Sequence, residues 1–162
     1  MKVKTIVDED FLNYKTPSMY IGTIYCDGKC CYEAGVPFSI CHNDGWLKAA
    51  TLDVADENII QRYLDNPITH SICFGGLEPF EQFEEVYGFI NTLRNVFNCT
   101  DTVVIYTGFE REEVEDKILM LKSLSNIVVK FGRFRPREQA KHYDEVLGVY
   151  LSSPNQHAEK IS

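Results

Sequence analysis

The chain reads as an α/β protein built on a mainly parallel sheet, and three observations predict that class. Short runs of β-branched and aromatic residues alternate with longer stretches whose apolar positions recur every three or four residues. The apolar runs close at turn signals, Gly75-Gly76 and Thr107-Gly108 among them. Strands separated by whole helices cannot be joined by tight hairpins, so they are expected to run parallel with crossovers between them.

Each element follows in order. Residues 18–25 are rich in aromatic and β-branched side chains and form a strand that ends directly at Cys26. From Cys26 to about Trp46 the chain is expected to be irregular, since Gly28, Gly35, Pro37, Asn43, Asp44 and Gly45 all argue against a long element. Asp53 is a candidate N-cap, with Asp56 and Glu57 in the first turn and Ala55, Ile59, Ile60 and Tyr63 at helical spacing; Asn66-Pro67 ends that helix. The apolar run 68–74 is a buried strand, followed by a loop over 75–79. Phe80, Phe83, Tyr87, Ile90, Leu93 and Phe97, with Glu81, Glu84, Glu85 and Arg94 between them, predict a long amphipathic helix. A strand over 102–106 leads to a helix from about Glu110 to Leu124, which turns Val114, Ile118 and Leu121 inward. Residues 127–131 and 146–151 are the last strands. Nothing resembling a linker or repeat divides the chain, so one domain over 1–162 is expected. Ligands of such sheets collect beyond the carboxyl ends of the strands, where Cys26, Gly75-Gly76 and Thr107-Gly108 would all lie.

Composition narrows the function. A chain of 162 residues with 44% hydrophobic content can bury one core. The net charge of -8 argues against a nucleic-acid partner, because phosphate-backbone binding rests on clustered Lys and Arg. The first ten residues lack the apolar core of a signal peptide, and no stretch is long enough to span a bilayer; no membrane association and a cytoplasmic location are expected. In that reducing compartment six cysteines are thiols or metal ligands rather than a disulfide framework.

Four of the six fall within one loop: Cys26-Asp27-Gly28-Lys29-Cys30-Cys31, then Cys41-His42-Asn43. Cys73 within a strand and Cys99 after a helix read as small buried hydrophobes. Thiolates suit both zinc and iron-sulfur clusters, and the loop glycines let several sulfurs turn inward. Zinc would need a closed tetrahedron, for which Cys26, Cys30, Cys41 and either His42 or Cys31 are available, but the spacing lacks paired CxxC knuckles. Three cysteines on a cubane would leave one iron open to a small molecule, whereas a pure electron carrier normally uses four. Cys31, next to Cys30, is awkward as a ligand to the same cluster and reads as a spare thiol. The backbone amides of Asp27, Gly28 and Lys29 are placed to bond cluster sulfides.

These landmarks, taken in order, resemble the radical S-adenosylmethionine superfamily, and within it the activating proteins of anaerobic ribonucleoside-triphosphate reductases. Cys26-x3-Cys30 with the later Cys41-His42-Asn43 is similar to that family's C-x3-C-x2-C-H-N, and Gly75-Gly76-Leu77-Glu78-Pro79 to its GGEP turn. Val104-Ile105-Tyr106-Thr107-Gly108-Phe109 resembles a Y-T-G-Y strand end, Gly132-Arg133-Phe134 a G-R-F segment, and Ser152-Ser153-Pro154-Asn155-Gln156 the S-S-N-Q close. The likeness spans about residues 18–158. Three departures stand out: the insertion 31–40 displaces the third cysteine, Leu77 interrupts GGEP, and Phe131 replaces an acidic position before G-R-F.

The resemblance implies a shortened partial (β/α) barrel. It implies a 4Fe-4S cluster on Cys26, Cys30 and Cys41, with S-adenosyl-L-methionine held by Gly75, Gly76, Glu78, Pro79, Thr107 and Gly108. The activity implied is reductive cleavage of that cofactor to a 5'-deoxyadenosyl radical, which installs a glycyl radical on an anaerobic ribonucleotide reductase-like partner. A flavodoxin- or ferredoxin-type protein would donate the electron. Two alternatives stay open: a radical enzyme acting on a small metabolite or peptide, and a non-catalytic zinc or iron-sulfur protein. Arg133, Arg135 and Arg137 form a local basic patch, readable as a solvated loop or as a site for a partner or the cofactor carboxylate. No nucleophile elbow or P-loop is present.

Overall fold

The computed structural model describes residues 1–138 and 140–162. In chain order its elements are β1 (Lys2–Val3), β2 (Thr5–Asp10), β3 (Ser18–Gly22), α1 (Lys29–Ala34), α2 (Asp44–Lys48), β4 (Leu52–Asp53), α3 (Asp56–Leu64), β5 (Ser71–Gly75), α4 (Phe83–Asn95), β6 (Thr102–Tyr106), α5 (Glu115–Leu121), β7 (Ile127–Phe131), β8 (His142–Asp144), β9 (Val149–Leu151) and β10 (His157–Lys160). Single 3-10 turns at Phe38–Ile40, Pro79–Gln82 and Arg111–Glu113 complete the set.

Six strands form one sheet in the order β10-β7-β6-β5-β3-β2. The four central strands are parallel, and both edge strands pair antiparallel. β5 and β7 are buried at every position, the expected state of parallel strands covered on both faces. Side-chain alternation divides the core into two layers. Met19, Ile21, Ile72, Phe74, Val103, Ile105, Ile127, Val129 and Phe131 join the helical layer of α3, α4 and α5. Within it Phe74 meets Phe89 edge to face at 5.4 Å; burying each such ring is worth roughly 1.5–3 kcal/mol. Tyr20, Cys73, Val104, Tyr106 and Val128 belong to a smaller layer closed by Tyr14, Leu147 and Leu151.

The structure revises several expected elements. The stretch expected to be irregular contains α1, a 3-10 turn and α2, because Gly28 (φ 70) and Gly35 (φ 62) mark the ends of a short helix rather than a continuous coil. The helix expected from Asp53 starts at Asp56, and Asp53 instead pairs with Lys2 in a two-stranded ladder. The strand expected over 146–151 begins at Val149 and pairs with β8 outside the main sheet, after a turn in which Gly148 takes φ 74. The long helix expected from Phe80 opens with a 3-10 turn and ends at Asn95. Arg94 points inward at its last turn and donates to the carbonyls of Cys99, Asp101 and Ser125 at 2.7, 2.8 and 3.0 Å. Among the described residues no helix is long and apolar enough to cross a membrane.

Candidate cofactor site at the carboxyl edge

The loops that leave β3, β5, β6 and β7 surround a cavity of about 400 Å³. Cys26, Cys30 and Cys41 line it, together with Gly76 and Glu78 from the β5 turn, Thr107 and Gly108 from the β6 turn, and Lys130, Gly132 and Gln156, among other residues. Of the residues expected to bind a cofactor, Gly75 and Pro79 are set back from this lining. Gly75 ends β5 with its carbonyl accepting from the Thr23 amide and hydroxyl at 2.9 and 3.2 Å. Pro79 is buried at the start of its 3-10 turn. Gly76 takes φ 82, a left-handed conformation that suits glycine.

The segment between Cys30 and Cys41 returns Cys41 to the cavity by folding rather than looping. Gly35 and Val36 donate to the carbonyls of Tyr32 and Cys31, both at 3.0 Å, which is a Schellman ending for α1. The chain then turns at Pro37, and Cys41 donates its amide to the Phe38 carbonyl at 2.8 Å. The Phe38 ring covers Gly28 so closely that a Cβ there would fall 2.6 Å from it. His42 meets the Phe134 ring edge on at 5.7 Å, and Lys4 donates to the Ala49 carbonyl at 2.7 Å, pinning the far end of the segment.

The thiols sense one another. Burial pushes Cys26 up to about 12 and raises Cys41, and in each case the neighbouring Cys30 adds to the shift. The Cys26 sulfur accepts from the Gly28 amide and the Cys41 sulfur from the Asn43 amide, both at 3.4 Å. Cys31 lies within α1 at 5% exposure, its sulfur 3.9 Å from that of Cys30. Among the described residues no three Cys, His, Asp or Glu side chains are gathered tightly enough for a single metal ion. A cubane needs a wider arrangement, since each cysteine takes a different iron.

Glu78 fastens the β5 turn to the β6 turn. Its buried carboxylate accepts from the Thr107 hydroxyl at 2.7 Å, the Gly108 amide at 2.7 Å and the Phe80 amide at 3.0 Å. Burial raises its pKa, and these bonds together with the Lys130 charge oppose the rise. Lys130 was not singled out from the sequence, although a lone cation inside the apolar run of β7 was a usable signal. Burial brings its ammonium down to about 8, and it donates to the Gly132 carbonyl at 2.7 Å. Gln156 is buried, and its side-chain carbonyl accepts from the Ser152 and Ser153 amides, each at 3.1 Å.

Arg133, readable from the sequence as a solvated loop residue, is buried. It grips Glu113 with two hydrogen bonds, which hold that carboxylate down at about 2, with Lys29 contributing. A carboxylate depressed by folding contributes stability above its unfolded pKa and loses it as pH falls through its folded one. The stability advantage of the native chain over Glu113→Gln is therefore expected to shrink between about pH 5 and pH 2, read as converging urea midpoints. An advantage that stays constant across that window would mean the ion pair is not formed in solution.

The sequence model of a family described as a 4Fe-4S single cluster domain matches residues 25–156, from the approach to Cys26 through the Gln156 turn. Comparisons with curated proteins and with solved structures returned no significant match.

Proposed function

We propose, from the premise that this chain belongs to the 4Fe-4S single cluster domain family and is an iron-sulfur protein, that Cys26, Cys30 and Cys41 hold one 4Fe-4S cluster that cleaves S-adenosyl-L-methionine. One observation carries this reading: three loop cysteines open onto the same cavity as the Gly76-Glu78 and Thr107-Gly108 turns. The donor set fits the group, being three soft thiols with backbone amides already directed at two of the sulfurs. At about 400 Å³ the cavity lies within the range of small-molecule sites.

When bound to Cys26, Cys30 and Cys41 and reduced, the cluster would supply the electron for cleaving the sulfonium-ribose bond, radical chemistry suited to installing a glycyl radical on a partner enzyme. The chain supplies position. Gly76, without a Cβ, lets the cofactor approach the backbone. Glu78 fixes the separation of the two turns that face it. The Lys130 ammonium is the cation that a carboxylate entering this cavity would meet. Leu151 and Phe134 line the walls and displace water. In this reading the sheet is a shortened partial barrel of the radical S-adenosylmethionine type, the partner is an anaerobic ribonucleotide reductase-like glycyl-radical enzyme, and the electron comes from a flavodoxin or ferredoxin.

The test is anaerobic purification, iron, sulfide and zinc analysis, and incubation with dithionite and S-adenosylmethionine. About four irons and four sulfides per chain, with 5'-deoxyadenosine produced, are expected. Zinc without sulfide would overturn the reading. A full cluster that yields no 5'-deoxyadenosine, with or without a glycyl-radical partner, would point to a non-catalytic iron-sulfur protein.

A further inference from the structure

The helix that carries Cys30 has little to hold it in place by packing. α1 is six residues long and buries only Cys31. Helices this short are not stable by themselves, so the orientation of α1 must come from outside contacts. Charged groups supply them at both ends. Lys29, beside Cys30, donates to Glu113 at 2.8 Å. Glu33, on the next turn, lies 3.5 Å from Arg133. Arg133 in turn meets both oxygens of Glu113, at 2.6 and 2.9 Å. Its side chain is only 11% exposed, and its guanidinium lies 5.6 Å from the centre of the Phe109 ring. Members of this network and the thiols line one cleft of about 30 Å³, with Lys29, Arg133 and Phe109 beside Cys26, Cys30 and Glu78.

We infer that Glu113 is a positioning residue for the cluster: by joining Lys29 on α1 to Arg133 on the loop after β7, it fixes where Cys30 presents its sulfur. The inference rests on the assignment of Cys26, Cys30 and Cys41 as ligands. A bidentate arginine-carboxylate pair constrains angle as well as distance, which a lone lysine contact does not. Without the carboxylate, Glu33, 3.8 Å from Lys29 and 3.5 Å from Arg133, would be left as the acidic group between the two cations, and α1 would keep only this longer ionic link to the frame.

The test compares the anaerobically reconstituted chain with its Glu113→Gln, Glu113→Asp and Lys29→Met variants. The rate of iron transfer to a chelator is followed by visible absorbance, alongside the cluster midpoint potential and far-ultraviolet circular dichroism. Glu113→Gln is expected to release iron about tenfold faster with its circular dichroism unchanged. Its potential should rise, because a negative charge near the cluster is gone. Glu113→Asp should recover part of the retention. Lys29→Met leaves the Arg133 pair in place and is expected to release iron faster as well, which keeps the inference testable if Glu113→Gln does not fold. Release at the native rate from Glu113→Gln, or from Lys29→Met where the former is unfolded, overturns it. A native chain that holds no iron and sulfide would instead defeat the ligand assignment.

Discussion

Replacing Cys41 with alanine is expected to strip iron and sulfide from the chain, whereas Cys31→Ala is expected to leave both in place. Cys41 lines the cavity and is electrostatically coupled to Cys30, and its sulfur already accepts the Asn43 amide. Cys31 follows Cys30 on the same helix. Successive helical side chains diverge by about 100°, so the two cannot aim at one centre, and Cys31 is the member turned into the protein. With Cys26, Cys30 and Cys41 as the proposed ligands, removing Cys41 would reduce them from three to two and leave a second iron without protein support. The check is iron and sulfide content, with visible absorbance, after anaerobic reconstitution of each variant. A full cluster in Cys41→Ala would assign the third position to Cys31 or His42.

Glu78→Ala is the substitution expected to cost the fold most at this edge. It leaves the Phe80 amide, the Gly108 amide and the Thr107 hydroxyl without their acceptor. Each buried unpaired group costs about 1–3 kcal/mol. Gly108 and Thr107 line the cavity, so water can reach them there, and a total near 3 kcal/mol is the reasonable sum. Urea unfolding measures it. Lys130 also loses a carboxylate that raises its pKa, so burial would drive its ammonium further down. A loss below about 1 kcal/mol would show that the two turns are held together by other means.

Where a segment is buried on both faces, the sequence was enough to find it. β5, β6 and β7 overlap the apolar runs that announce them, because a strand covered on both faces is made mostly of apolar residues, with Ser71, Thr102 and Lys130 as the polar members. β2 and β10 escaped notice for the converse reason. Thr5–Asp10 and His157–Lys160 are edge strands, rich in charge, whose membership in the sheet is decided by the neighbour each pairs with. α1 was missed because six residues with one buried position carry no readable periodicity.

The candidate site divides in the same way. Four cysteines in one loop and a glycine pair at a strand end are conspicuous by type, whatever the fold. The ionic link between Glu113 and Arg133 is not, since it depends on the β6 and β7 loops being neighbours. Glu78 was expected among the cofactor-binding residues; that its carboxylate reaches Thr107 and Gly108 follows from the parallel pairing of β5 with β6.

The unequal division of the core has a mechanical consequence. The helical layer holds most of the large buried side chains, while the opposite layer rests on Tyr14, Leu147, Leu151 and few others. The free energy of local opening rises with the apolar surface that opening exposes. Fluctuations that separate the β8-β9 ribbon from the sheet therefore cost much less than those that lift α4, and they leave the helical layer intact. The protein thus has a stiff back and a compliant front, and the compliant side is the one where Tyr150 and Leu151 border the cavity.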